Sequence, residues 1–317
     1  MTPAHLGLGG APVGNLYREV DEDVALATVR TAVELGFRHI DTAPHYGAGL
    51  SEERIGRALA GLPRPVTQVS TKVGRLLEPD PDHRSGDLDP YGFAVPSTRR
   101  RRWDYTPAGL RRSLEESLER LGLDRVEIVY LHDPDVHGLE EGIRVALPAL
   151  AAIRAEGLVD RIGVGSIDAD ALARCVAEAD LDMVMCAGRY SLLEQPAAVR
   201  LLPLCLARGV EVVAAGVYGT GSLATDVLPE HVLYDYAPAT EEVLRRLRAL
   251  HRLCAEHEVP VPVAAVQFVA RHPAVGTVVL GARTPDEVRL ADQRMRFPVP
   301  PELWQALASS GLLEHPS

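Results

Sequence analysis

The sequence predicts an α/β fold, a (β/α)8 TIM barrel in one domain, and three observations carry that prediction. Strand-like and helix-like runs alternate in units of roughly 30 to 40 residues, about eight times over, as parallel strands joined by helical crossovers require. The strand-like runs are short and continuously apolar, the pattern of strands buried on both faces. No linker or change of composition interrupts the 317 residues, so one barrel domain is read over 1–317.

The elements follow in order. After the glycine-rich segment 6–10 come a helix near 22–35, a strand at 37–42, a helix near 51–60 and a strand at 66–72. Beyond a polar stretch at 74–106, a helix is predicted at 107–121, because Leu110, Leu114, Leu118 and Leu121 recur at helical spacing and Gly122 supplies a stop. A strand at 126–131, a helix ending near Gly157, a strand at 161–164 and a helix near 168–178 continue the alternation. Next come a strand at 182–185, a helix near 197–208 and a strand at 210–214. The last part reads as helices near 240–257 and 262–271, a strand at 277–280, a helix near 285–294 and a C-terminal helix.

The formal charge of −11 argues against nucleic acid as a partner, since phosphate backbones select basic surfaces. The run Arg99-Arg100-Arg101-Arg102 is the exception and reads as part of a solvated loop at 74–106. No stretch approaches the ~18 apolar residues of a membrane span, and the start of the chain lacks a leader pattern. A cytoplasmic protein that acts on a small molecule is expected. Cys175, Cys186, Cys205 and Cys254 lack C-x-x-C spacing and read as reduced core thiols, with no metal expected. Monomer and homo-oligomer both stay open.

In such a barrel, functional groups gather where strands end and βα loops begin. Asp41 closes the second predicted strand, with Tyr46 and His45 in its loop; Lys72 closes the third and His132 follows the fourth. A free phenol, with a pKa of about 10, is a poor base at neutral pH. An ammonium favours its ionised form, a carboxylate keeps the ammonium charged and placed, and an imidazole orients the substrate oxygen.

These residues resemble the aldo-keto reductase superfamily over nearly the whole chain. The matching pieces are Gly7-Leu-Gly-Gly10, Gly36-Phe-Arg-His-Ile-Asp-Thr-Ala-Pro-His-Tyr-Gly47, Ser70-Thr-Lys72, Tyr130-Leu-His132, Gly163-Val-Gly-Ser166 and Gly281-Ala-Arg-Thr-Pro285. With His132-Asp-Pro-Asp135 and Gly188-Arg-Tyr-Ser-Leu-Leu-Glu-Gln195, the chain looks most like the aldose 1-dehydrogenases acting on L-fucose, D-threo-aldoses or L-galactose, with pyridoxal 4-dehydrogenases close by. The resemblance implies a catalytic tetrad of Asp41, Tyr46, Lys72 and His132. It further implies oxidation of a sugar hemiacetal to its lactone, with Tyr46 as general base in oxidation and general acid in reduction.

The resemblance also implies an NAD(P) site. It assigns to the cofactor Gly10, Ala11 and Asp41, together with Ser166, the loop Tyr218-Gly219-Thr220-Gly221-Ser222, and Gly281, Arg283 and Glu287. Taken alone, Gly219-Thr-Gly221 is not a full dinucleotide fingerprint. Ile167, Ala187 and Ala215 stand where many members offer Asn, Gln and a ring-stacking Tyr, so Tyr190, Tyr218 and Arg189 are candidates to compensate. A carboxylate at Glu287 would repel a 2′-phosphate, which favours NAD over NADP. His45, Arg189 and Tyr190 are the expected substrate contacts.

Three functional readings follow. The first is aldose oxidation, the second oxidation of pyridoxal or turnover of another small aldehyde or ketone, and the third a nicotinamide-loaded regulatory module. Aromatic residues make up 5% of the chain, which counts against a large apolar pocket. The loops 74–106 and 218–239 are expected to decide the substrate.

Overall fold

The computed structural model describes residues 4–62, 67–228, 231–234 and 237–313. Among them, eight parallel strands close a barrel: β1 His5–Gly9, β2 His39–Asp41, β3 Gln68–Val73, β4 Ile128–His132, β5 Arg161–Ser166, β6 Met183–Ala187, β7 Glu211–Ala215 and β8 Val275–Gly281. Each strand pairs with the next, and β8 closes on β1 through Leu6 opposite Val278 and Leu8 opposite Leu280. The predicted (β/α)8 domain is the observed one. Val66, the predicted start of β3, lies outside the described residues.

Helices pack around the strands. α1 (Glu22–Glu34) and α2 (Leu50–Leu59) follow β1 and β2, and α3 (Pro107–Leu121) precedes β4. α3 begins where the Thr106 hydroxyl accepts the Gly109 N–H at 3.0 Å, carries Pro107 in its first turn and ends at Gly122 in the left-handed region. The longer helices that remain are α4 Leu147–Ala155, α5 Ala169–Glu178, α6 Leu201–Arg208, α7 Glu241–Glu256, α8 Val261–Ala270, α9 Pro285–Arg296 and α10 Pro301–Ser309. The four cysteines are free and buried, and no described helix is long and apolar enough to cross a membrane.

Side chains alternate across a strand, and that alternation divides the core. Val69, Val129, Leu131, Ile162, Val164 and Val184 face the helices in one large cluster. A separate cluster of Ile128, Tyr130, Met183, Met185, Val213 and Val279 takes the opposite faces and fills the barrel interior. The register sets Asp41 beside Ser70, Lys72 beside Tyr130 and His132 beside Gly165. Asp41, Lys72 and His132 thus come to the C-terminal end of neighbouring strands.

The stretch 74–106 corrects the sequence expectation. It contains an antiparallel pair, Arg75–Pro79 with Arg99–Trp103, so the arginine run is a strand rather than a loop; Arg99, Arg100 and Arg102 are exposed as expected, and the Arg101 side chain is not. The Arg101 side chain is 2% exposed and paired with Asp89, which is fully buried. Arg101 also donates to the His45 carbonyl at 2.7 Å, and Arg99 to the Ala48 carbonyl at 3.0 Å. The sequence signalled polarity; the charges are neutralised by partners distant in the chain, and they hold the loop that carries Tyr46.

Candidate active site

Tyr46 projects from a loop whose backbone turns left-handed at three successive residues, Gly47, Ala48 and Gly49, with φ of 63°, 52° and 98°. Gly47 is required twice over, because a Cβ there would also stand 2.3 Å from the Gly14 carbonyl oxygen. Lys72 Nζ donates to Asp41 Oδ2 at 2.6 Å and to the Thr42 carbonyl at 2.9 Å, and lies 4.6 Å from the centre of the Tyr46 ring. The His132 ring stands edge-on to Tyr46, 6.0 Å between centres. Tyr46, Lys72 and His132, separated along the sequence, converge on one cavity wall, with Asp41 behind Lys72.

The electrostatics follow from burial. Burial pushes the Lys72 pKa down, but Asp41 and Tyr46 outweigh it and the ammonium is held above its ordinary value. Burial raises the Tyr46 phenol, and the neighbouring Lys72 opposes that rise without cancelling it. His132 is driven well below the usual imidazole range by burial, then by Arg75, Lys72 and His45, and is neutral at physiological pH. His45 is lowered by burial and by Arg75 and Arg101.

Beneath these four residues, the Ser70 hydroxyl donates to Asp41 Oδ1 at 2.7 Å and lies 2.8 Å from His39 Nε2. Because the one hydroxyl proton is committed to Asp41, His39 must donate, which fixes its tautomer. Burial lowers His39 to about 4, so the chain His39, Ser70, Asp41, Lys72 is a buried polar network with its carboxylate held at both oxygens.

A cavity of about 380 Å³ covers Tyr46, Lys72, His132 and His45 and is also lined by Ala11 and Ser166. Its aromatic lining corrects the composition argument: Tyr17, Tyr46, Tyr91 and Phe93 all face it, so a small aromatic total is concentrated here. The segment bearing Tyr91 and Phe93 is joined to that bearing Tyr17 by backbone bonds from Tyr17 to Gly92 (2.8 Å) and from Ala94 to Asn15 (2.9 Å). Nothing local in the sequence signals this long-range closure.

A second cavity of about 290 Å³ shares Leu16, Tyr17, Ile167 and Ala187 with the first. It is lined by Arg189, Tyr218, Gly219, Thr220, Gly221 and Gly281. The residues present fit a dinucleotide: glycines at 219, 221 and 281 leave the cavity wall without side chains there, so a ligand can approach the backbone closely, and the buried Nε–H of Arg283 has no acceptor among the described residues. Arg283 otherwise reaches the Leu16 carbonyl at 3.4 Å.

Several expected contacts are buried away from the cavities or already engaged with other groups. Gly10 is buried behind Asp41, donating to its carbonyl at 2.7 Å, and a Cβ there would be 2.6 Å from that oxygen, so it packs the strand end rather than lining a cavity. Ser222 turns its hydroxyl onto the Gly219 carbonyl at 2.8 Å and shapes the loop from within. Glu287 accepts the Arg283 N–H at 2.7 Å. The Ser166 hydroxyl is engaged with Asp135 at 2.5 Å. Tyr190 is 1% exposed, packed on Phe268 and His272 outside the barrel, and lines neither cavity; its helix-facing position excludes a substrate contact. Arg189 lines the second cavity while bonded to Ile167 and Glu194. Arg75, which the sequence reading passed over, and Asp133, which it used only within the His132-Asp-Pro-Asp135 segment, form an ion pair at the first cavity, where Asp133 belongs to the wall.

The profile of the aldo/keto reductase family matches residues 5–310. The chain is 46% identical over 312 residues to a D-threo-aldose 1-dehydrogenase of a Pseudomonas species, covering 98% of this chain and 95% of that protein. It is 35% identical to a pyridoxal 4-dehydrogenase of Microbacterium luteolum, covering 99% and 95%. Among solved structures, it resembles an aldo-keto reductase of Bacillus halodurans in its holo form, with a TM-score of 0.76, 26% identity and coverage of 98% and 92%.

Proposed function

Because this chain belongs to the aldo/keto reductase family and is an oxidoreductase, we propose that it oxidises the anomeric carbon of an aldose, in its cyclic hemiacetal form, to a lactone. NAD or NADP, bound in the glycine-lined cavity, supplies the hydride acceptor. The observation that carries the reading is the Tyr46 phenol on the wall of a cavity that also presents Lys72, His132 and the carboxylate of Asp133. The relation to a D-threo-aldose 1-dehydrogenase supports an aldose, and the resemblance of the His132-Asp-Pro-Asp135 and Gly188–Gln195 segments favours one of the L-fucose or L-galactose type.

Tyr46 takes the proton of the anomeric hydroxyl, and Lys72 stabilises the phenolate that accepts it. Asp41 keeps Lys72 charged and aimed. Neutral His132 hydrogen-bonds the same substrate oxygen, holding it toward Tyr46. In reduction, Tyr46 returns the proton to the carbonyl oxygen. The loop at Gly219 to Gly221 and Arg283 would hold the phosphates of the cofactor, and the Glu287 carboxylate beside Arg283 would disfavour a 2′-phosphate, which favours NAD.

A second reading, oxidation of pyridoxal in its hemiacetal form, draws on the Tyr17, Tyr91 and Phe93 lining, which suits a flat ring. The two are separated by offering aldoses, pyridoxal and simple ketones with both cofactors and identifying the products. Lactone from an aldose, hydrolysing to aldonic acid, is the expected result. Inert aldoses with brisk turnover of pyridoxal or a ketone would overturn the sugar reading.

A further inference from the structure

Asp133 follows directly after His132 at the end of β4, and its backbone stands at φ 43°, in the left-handed region that a non-glycine residue rarely occupies. Its N–H donates to the Gly165 carbonyl at 2.8 Å, which anchors that conformation. The side chain turns into the first cavity. There Oδ2 pairs with Arg75 and lies 3.5 Å from His132 Nε2, while Oδ1 has no donor among the described residues.

Arg75 is itself placed for this task. It is 8% exposed and stacks on Trp103, 4.3 Å from the ring centre, through the strand pair that the arginine run forms. A buried ion pair is weak evidence for stability, because desolvation offsets the attraction. Glycine or asparagine would turn the chain here without burying a charge. A strained backbone that presents an incompletely paired carboxylate to a cavity points instead to a ligand.

The position of the carboxylate selects the ligand. An oxygen held by Tyr46 and His132 belongs to the reacting carbon, and an oxygen on the adjacent carbon lies about a hydrogen bond's length away. His132 Nε2 stands 3.5 Å from Asp133 Oδ2 on the wall of the same cavity, so an oxygen on that adjacent carbon is within reach of the carboxylate. Asp133 also opposes ionisation of Tyr46 by its negative charge, consistent with their proximity. Resting on the assignment of Tyr46 and His132 to the reacting oxygen, we propose that Asp133, held by Arg75, is a specificity-determining residue that accepts the hydroxyl on the carbon next to the reacting one. The site thereby prefers α-hydroxy carbonyl compounds and their hemiacetals to substrates lacking that hydroxyl.

The test uses two matched pairs on the full-length enzyme: oxidation of L-fucose against 2-deoxy-L-fucose, and reduction of lactaldehyde against propanal. A hydrogen bond to a charged group predicts a wild-type preference of about 10- to 100-fold for the hydroxylated member. Asp133→Ala should lose most of that ratio, chiefly through KM for the hydroxylated substrate, and Asp133→Asn, which keeps the shape and a neutral acceptor, should lose part of it. Melting temperatures identify a variant that has failed to fold, in which case Asp133→Asn decides. A wild type without preference in either pair, or variants that slow both members of a pair equally, overturn the proposal. If no aldose is oxidised, the sugar reading fails by itself, and the lactaldehyde and propanal ratio then decides for or against Asp133.

Discussion

Lys72 Nζ lies 2.6 Å from Asp41 Oδ2, with side chains only 2% and 4% exposed, so an ion pair from adjacent strand ends is sealed beneath the Tyr46 ring. Neither charge can be removed alone without leaving the other buried and unpaired. Lys72→Met should therefore cost about 3–5 kcal/mol of stability, read as a lower denaturation midpoint, and also abolish turnover. The double change Asp41→Asn with Lys72→Met should recover much of the stability and none of the activity. Recovery of both would remove Lys72 from the chemistry.

Tyr46→Phe removes one oxygen and keeps the ring. Loss of a positioned acid or base lowers rate by about 10²- to 10⁴-fold, so kcat should fall by that order while cofactor affinity, followed by fluorescence titration, stays within about threefold. Undiminished turnover would falsify the assigned role.

The pH profile follows from the direction of two shifts. Tyr46 is held above its ordinary value by burial, so its phenolate is scarce at neutral pH and oxidation should accelerate as pH rises, by up to about tenfold per unit between about pH 7 and 9. His132 is held well below its ordinary value by burial, so it stays neutral and contributes no limb near the usual imidazole value. A profile of kcat/KM that rises through an inflection near pH 6.5 and then flattens contradicts this assignment.

Cofactor choice tests Glu287. With its carboxylate on the Arg283 N–H at 2.7 Å, the wild type should have a higher kcat/KM with NAD than with NADP. Glu287→Gln keeps an acceptor but drops the charge, and should move the ratio toward NADP by about fivefold. A wild-type preference for NADP that the substitution leaves in place makes Arg283 the dominant group.

The sequence by itself determined the barrel and the placing of Asp41, Lys72 and His132 at strand ends, since both are written in local signals. Continuous apolar runs mark strands buried on two faces, the leucine spacing with Gly122 marks α3, and Asp41, Lys72 and His132 fall at or just past strand ends, where a barrel gathers its chemistry. Only the tertiary structure decided what depends on partners distant in the chain. Arg101 reads as a solvated charge until Asp89 and the His45 carbonyl neutralise it. Tyr190 reads as a substrate contact until its strand-end turn buries it against Phe268. Tyr17, Tyr91 and Phe93 become a cavity lining only when the 15–17 and 92–94 segments join. Asp133 becomes part of the site only when Arg75 arrives from the strand pair at 75–103. Strand and helix periodicity is a property of neighbouring residues, whereas burial of a charge or ring depends on which surfaces the closed barrel brings together.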